Sequence, residues 1–478
     1  MQAVFTQGSI MRHILVMTLS STVGLLSLFL VDLVDMYFLS LLGQQELAAA
    51  VGFAGTLLFF LTAISIALSI GMGAKVSQSL GQKRVDKARQ YCVHTLIFSF
   101  LFTFAVVIPV WVGSRTLLSF LGAEGRTLEL ALIYTHILLP STPVLAMAMG
   151  LASALRAAGD PRRSMYAIAA GGLANAILDP ILIFGLDMEI AGAAWSSFIA
   201  RFVILGIAGT YVIKRHKLLT SPKWSEWWID LRSLATVSGP AMLTNLATPV
   251  GSSYVMKTMA EFGDDAVAGA AIIGRIVPVA FCGLFALSGA VGPIIGQNMG
   301  AGDYYRVRRT LGDASRFIAG YVMIVWALLY FLSDFIVASF DATEDARYLI
   351  NQYCLWIAPG FFFNGLLFVA NACFNNINSA YLATLFNFSR AFLGTIPFVA
   401  LLSSQFGAIG VLAGEIAGGL VFGTLAMGTA VYRVTHLTRS MTEPEDTDTV
   451  KESNACQWSY CSEKSALGQQ VVESAESN

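Results

Sequence analysis

Apolar residues gather along the chain into twelve long runs, each closed by a short cluster of charged, Gly or Pro residues. The runs fall at approximately 13–41, 48–77, 92–113, 128–153, 164–186 and 191–213, then 235–260, 266–296, 314–339, 347–374, 381–402 and 408–432. Each is long enough for an α-helix to cross a hydrocarbon core. The pattern predicts an all-α polytopic membrane protein with twelve transmembrane helices. Past about residue 440 the chain turns to TEPEDTDTVKESN and then to Ser, Glu and Gln, a polar acidic tail over 440–478 that is predicted to be disordered.

Composition agrees. Of 478 residues, 56% are hydrophobic and 12% charged, about half the charge of an ordinary soluble domain. The net charge of −1 and the lack of a separate basic domain give no reason to expect a nucleic-acid partner. Cys92, Cys282, Cys354 and Cys373 lie in or beside apolar runs and read as small packing residues. Cys456 and Cys461, in ACQWSYC, lack the second ligand pair of a zinc site, so no metal and no cofactor is implied. The first apolar run is too long for a cleavable signal peptide, contains acids and lacks an A-x-A-like site.

The connections alternate in charge. One set is basic, with Lys83, Arg84, Lys87 and Arg89, then Arg156, Arg162 and Arg163, then Lys214, Arg215, Lys217 and Lys223, then Arg306, Arg308 and Arg309, and finally Arg433 and Arg439. The other set is acidic, with Glu46, Glu124, Asp187, Glu189, Glu261, Asp264, Asp265, Asp341, Glu344 and Asp345. Basic loops stay cytoplasmic, so an even number of spans across a cell's inner (plasma) membrane places both termini in the cytoplasm.

The halves repeat. In 69-SIGMGAKVSQSLGQKRVDKAR-89 and 288-SGAVGPIIGQNMGAGDYYRVR-308, an offset of 219 residues pairs Ser69 with Ser288, Gly73 with Gly292, Gln78 with Gln297, Gly81 with Gly300 and Arg89 with Arg308. Near the same offset, 190-IAGAAW pairs with 408-AIGVLA. Six spans return a chain to its starting side, so the repeat predicts two parallel six-helix bundles. Such halves typify secondary transporters with a substrate site between them. The expected division is 1–220 and 221–439, followed by the tail.

These residues resemble the multidrug and toxic compound extrusion (MATE) transporters over roughly 10–435, and within them the DinF-like bacterial branch. The resemblance is carried by 34-VDMYFLSLLG-43, QSLGQKRVDKAR, ALRAAGDPRRS, NAILDPILIFG and the GQNMG of the second half. It implies a monomeric antiporter, not an enzyme, that exports hydrophobic or cationic drugs and toxic compounds in exchange for H⁺ or Na⁺. It also implies a coupling site in the first bundle: Asp35 and Asp179 match the family's cation-site carboxylates and Asn175 the amide between them. Tyr134 and Ser197 fit the polar groups around them. The DinF-like branch often has a proline before the aspartate of the first span; this chain has 18-TLSSTVGLL-26 instead. The second bundle offers Thr244, Asn245 and Thr248, with Asn364 and Asn371, where the NorM-like branch has further acids.

The residues support a coupling site independently of the resemblance. A charge at the centre of a membrane helix costs roughly 2.5–3.5 kcal/mol, yet 28-LFLVDLVDMYFLSLLG-43 holds Asp32 and Asp35 three apart, nearly on one face. Asn175 and Asp179, four apart, share another face. Desolvation penalises the charged form of a carboxyl in an apolar lobe. Such a group takes up a proton from one side, donates a hydrogen bond while neutral, and offers its charge to a cation once ionised. The competing reading makes Asp35 a structural anchor paired with Lys75, Arg201 or Lys257. Asp32, without a family counterpart, is an auxiliary candidate that also suits an aqueous vestibule. Arg201, Arg275, Arg390 and Glu415 read as structural pairs or snorkelling groups. A lipid-linked saccharide flippase of the same superfamily is the alternative within transport, and an intramembrane aspartyl protease the alternative outside it. No GxGD-type motif surrounds Asp35 or Asp179.

Overall fold

The structure, a computed structural model, describes residues 3–42, 45–340 and 343–442. The aspartate at position 32 lies on a described helix, but its side chain is outside the described set. Twelve helical rods follow one another without a strand among the described residues. They are α1 (Ile10–Leu41), α2 (Gln45–Gly81), α3 (Val85–Val112), α4 (Gly125–Ala157), α5 (Pro161–Gly185) and α6 (Glu189–Lys214). The second six are α7 (Trp227–Ala260), α8a (Asp264–Ala280) with α8b (Cys282–Gly300), α9 (Tyr304–Ser339), α10 (Glu344–Asn376), α11 (Ala380–Phe406) and α12 (Ala408–Thr442).

Ten of these rods are long and apolar enough to cross a membrane, and the α8a–α8b pair makes an eleventh. The twelfth, α7, is long enough but falls short in apolarity, because SGPAMLTNLATPVGSS runs through its middle. The described residues up to Tyr432 form one compact unit, and α12 runs on from Arg433 to Thr442; the polar tail expected over 440–478 lies, beyond Thr442, outside the described residues.

Several rods are broken where the sequence pattern predicts unbroken runs. α8 bends by 43° between Ala280 and Cys282. Pro278 removes a backbone donor there, and Tyr321 of α9 holds the break, its hydroxyl donating to the Ala280 carbonyl at 2.9 Å and accepting from Gly283 N–H at 3.1 Å. α4 passes through a 3₁₀ turn at Leu139–Ser141 around Pro140. Thr142 N–H then bonds the Leu139 carbonyl instead of that of Leu138. The freed Leu138 carbonyl accepts from Arg201 Nη1 at 3.2 Å, and the same nitrogen donates to Ser141 Oγ at 2.8 Å. One α-helix was not expected from the pattern at all: Ser114–Phe120, between α3 and α4.

The sequence repeat meets itself at the end of the molecule that carries the basic loops. A Cβ on Gly81 would overlap the Gln297 carbonyl, and a Cβ on Gly300 would overlap the Gln78 carbonyl. The side chains obey the same exchange: Gln78 Nε2 donates to the Asn376 carbonyl at 2.7 Å, and Gln297 Nε2 to the Ala157 carbonyl at 2.8 Å. Asn376 and Ala157 are themselves one repeat apart. Ser77 faces its own mate, Gly296. A pseudo-two-fold axis therefore passes between α2 and α8b, and the two bundles are in close contact there.

Between α4 and α5, Asp160 caps the first turn of α5 through Arg163 N–H at 3.3 Å and also pairs with the Arg163 guanidinium, while His216 Nε2 lies 2.9 Å from its Oδ2. Burial works to raise this carboxyl, but hydrogen bonds from His216 and Arg163 outweigh it and hold it below its ordinary value. A carboxyl depressed in the folded state adds stability above its ordinary value of 3.8, which is lost as pH falls through the lower folded value. Asp160→Asn is therefore expected to lower the melting temperature at pH 7, and the gap to wild type should close on acidification below that range.

Candidate functional site

Three helices converge on Asp179. On α5 it immediately precedes Pro180, which has no N–H to continue the ladder. The helix widens into a π turn over Ile181–Gly185, closed by Leu186 N–H to the Ile181 carbonyl at 2.9 Å; such π turns recur at functional sites. α6 lies directly on this turn because Gly192 has no side chain: a Cβ there would sit 2.7 Å from the Leu182 carbonyl carbon. One helical turn further, on the same face, Ser196 reaches Asp179.

Asn175, one turn before Asp179, joins the two acids. Its Nδ2 donates to Asp35 Oδ1 of α1 at 2.9 Å and to Asp179 Oδ2 at 3.3 Å. The Ser196 hydroxyl donates to Asp179 Oδ1 and also lies 2.9 Å from the Ala193 carbonyl. One hydroxyl proton thus has two acceptors. Asn175 Oδ1 is buried and has no hydrogen-bond partner among the described residues, an arrangement with a standing need for a donor or a cation. Asp179 and Ser196 are fully buried and Asn175 nearly so, whereas Asp35 is half-buried. Asp179 forms no ion pair with Lys or Arg among the described residues, and Arg201 is bound to α4 as described above.

Asp35, Asn175 and Asp179 thus come together, each in hydrogen-bond contact with the next. Tyr134 is close by, packed with Phe38 against Ile183 and Ala193. Ser197 gives way to its neighbour: the hydroxyl on Asp179 belongs to Ser196, and Ser197 is half-buried without a side-chain hydrogen bond to either carboxylate among the described residues. Adjacent helical positions point about 100° apart, so a shift of one residue changes the face. The signal that picks out Ser196 is Gly192 in 190-IAGAAW, since a glycine forced by close approach marks the contacting face. Ser196→Ala should remove a charge-assisted bond of roughly 1.5–3 kcal/mol and impair transport, while Ser197→Ala stays near wild type in an efflux assay.

The second-bundle candidates form no comparable cluster. Asn245 Nδ2 donates within its own helix to Ala241 at 2.8 Å, and Thr244 bonds Pro240 and Thr384. Thr248 is exposed. Asn364 accepts from Arg390 Nη1 at 3.0 Å, Arg390 lies within Coulombic reach of Glu415, and Asn371 accepts from Asn387 at 3.0 Å. The first of these contacts fits the expected structural role of Arg390.

The same fold occurs in VcmN, a MATE transporter of Vibrio cholerae, with a TM-score of 0.85 at 24% identity over 89% of this chain and 97% of that one. A protein named FAD transporter from Shewanella oneidensis is 26% identical over 439 residues, 91% of this chain and 95% of its own. The multidrug export protein MepA of Staphylococcus haemolyticus is 24% identical over 429 residues, covering 88% and 94%. The MatE family model matches residues 21–181 and 240–401, once in each repeat half. This chain is therefore a multi-pass membrane transporter that belongs to the MatE family.

Proposed function

We propose that the protein is a secondary antiporter of the inner membrane, exporting hydrophobic and often cationic compounds in exchange for H⁺, or for Na⁺, with its basic loops and both termini in the cytoplasm. The observation that carries this reading is the hydrogen-bonded chain Asp35–Asn175–Asp179–Ser196. Half-buried Asp35 is the port and buried Asp179 the store. With Asp179 ionised, Asn175 and Ser196 both donate to it. Once a proton arrives, Asp179 becomes a donor itself, and Ser196 is released to the Ala193 carbonyl 2.9 Å away. The orphaned Asn175 oxygen accepts a proton-bearing group in one state or faces a cation in the other. Two hydrogen-bonding arrangements of one site, biased by ion and cargo, are the bistable element that alternating access requires. Residues 1–220 and 221–439 are the two lobes that move, and the cargo binds between them.

Efflux of a fluorescent lipophilic cation from everted vesicles, with ΔpH or ΔpNa imposed separately, tests the reading. Response to ΔpH alone supports proton coupling, response to ΔpNa alone transfers the role to Na⁺, and response to neither refutes antiport.

A second reading concerns the cargo. The Shewanella relative is named for FAD, an anionic dinucleotide, and Lys75 of α2 is buried with no carboxylate in ion-pair reach among the described residues. Competition of a flavin nucleotide with the dye in the same vesicles distinguishes an anionic from a cationic cargo.

A further inference from the structure

We infer that two interchanged straps hold the basic end shut: the segment leading into each bundle crosses the seam and is gripped by the other bundle. This rests on the two-lobe reading and orientation proposed above, but not on the identity of ion or cargo.

The first strap precedes α1. Residues Val4–Thr6 form a 3₁₀ turn, and Phe5 is only 2% exposed. Every backbone polar group of Phe5 is bonded to the opposite bundle. Its N–H donates to Gln297 Oε1 at 2.8 Å, and its carbonyl accepts from Asn298 Nδ2 at 3.2 Å and Arg306 Nη2 at 2.9 Å. Arg306 Nη2 also reaches the carbonyls of Gly8 at 3.1 Å and Gln7 at 3.4 Å. Gln297 holds the strap with one end of its amide and the Ala157 carbonyl of α4 with the other. Val4 completes the bridge: a Cβ on Gly159, in the α4–α5 loop, would lie 3.2 Å from the Val4 side chain.

The second strap precedes α7 and mirrors the first. Residues Trp224–Glu226 form another 3₁₀ turn, 220 positions after Val4–Thr6. Lys87 of α3, the repeat mate of Arg306, binds Glu226 at 2.7 Å and Asp230 at 2.6 Å. Gln90 of α3 accepts from Lys223 N–H at 3.0 Å and donates to the Ser221 carbonyl at 3.1 Å. His94 Nδ1 lies 2.9 Å from Asp230 Oδ2, and Tyr91 donates to Ser233 at 3.2 Å. The hydrogen bond from Lys87 holds the half-buried Glu226 carboxyl below its ordinary value.

The grips differ in kind. Arg306 holds neutral carbonyls, whereas Lys87 holds carboxylates. Both are charge-assisted, and both join groups that separate if the bundles part at this end. Chance docking of two loops does not account for mates 219 positions apart gripping mated 3₁₀ turns.

The test places a thiol in the seam. Ser77→Cys, at a fully buried position facing Gly296, is made in a background carrying Cys456→Ser and Cys461→Ser; the four remaining cysteines are buried. Labelling by a membrane-impermeant maleimide is followed in everted and in right-side-out vesicles. Arg306→Ala and Lys87→Ala are each expected to raise the rate in everted vesicles about tenfold, with Arg306→Lys in between. A rise confined to right-side-out vesicles supports the straps and overturns only the orientation. Unchanged labelling in both alanine variants overturns the straps, including where the variants melt earlier than wild type.

Discussion

Asp179→Asn is expected to abolish gradient-driven efflux while leaving the protein folded. The replacement keeps the volume and an oxygen able to accept from Ser196, but cannot exchange a proton. Its direct structural losses are the weak 3.3 Å bond from Asn175 and the charge assistance of the Ser196 bond, together roughly 1–3 kcal/mol. The loss to transport is of another kind. In one-for-one exchange of a monovalent cation for H⁺ no net charge crosses, and each unit of ΔpH is worth about 1.4 kcal/mol, or about tenfold accumulation. Dye accumulation driven by a two-unit ΔpH in everted vesicles should therefore fall by up to about a hundredfold, with only a modest loss of melting temperature. Asp35→Asn should give the same phenotype, because the port and the store act in series. If Asp179 were a structural anchor, the order would reverse: melting would drop and residual transport would still follow the gradient.

The second large effect comes from adding a single methyl group. Gly81→Ala and Gly300→Ala each place a Cβ inside a backbone carbonyl of the opposite bundle. No rotamer change relieves such a clash, so the two helices must separate. Overpacking of this kind typically costs about 1–3 kcal/mol. The penalty falls only on the state in which the bundles touch, so the balance shifts toward the opposite opening by roughly ten- to a hundred-fold. The pseudo-two-fold axis makes a sharper statement: the two variants should match each other in thermal shift and in transport rate. Gly312→Ala serves as control. That glycine faces open space within α9, and alanine there should be neutral or stabilising by about 0.5–1 kcal/mol.

Much of this was legible in the residues, for reasons that differ from feature to feature. Runs of apolar side chains report a membrane helix directly, and all twelve rods lie over the twelve runs. Repetition at 219 positions reports a symmetry axis, and Gln78, Gly81, Gln297 and Gly300 lie on that axis because identical spacing is what self-contact demands. The pairing of Asp35 with Asn175 and Asp179 combined helical spacing with a family pattern. What escaped is what depends on neighbours. Ser196 rather than Ser197 is selected by the way α6 settles on the π turn at Gly192, a rotation that two adjacent serines cannot reveal. The bend in α8 is bridged by Tyr321 from another helix, and Arg201 from α6 donates to the Leu138 carbonyl at the break in α4. The straps are short and mixed in composition, so nothing in VFTQGS or KWSEW announces a docked segment; their partners lie nearly 300 and about 140 positions away.

The site's chemistry also separates position from function. Asp179 is enclosed by helix ends that need one another: Pro180 makes the π turn, Gly192 admits α6 to it, and Ser196 follows one turn on. A polar group this deep carries a standing energetic penalty, and its two available hydrogen-bonding arrangements give a use for it. The Asn175 amide, donating to both, ties the half-buried Asp35 to that group.

Proton release from purified protein on binding a lipophilic cation examines this most directly. Tetraphenylphosphonium is added to detergent-solubilised protein in weakly buffered solution with a pH indicator. The expected result is acidification by wild type that saturates with binding and is lost in Asp179→Asn. Binding to wild type without acidification, or undiminished release from Asp179→Asn, would contradict proton exchange at Asp179.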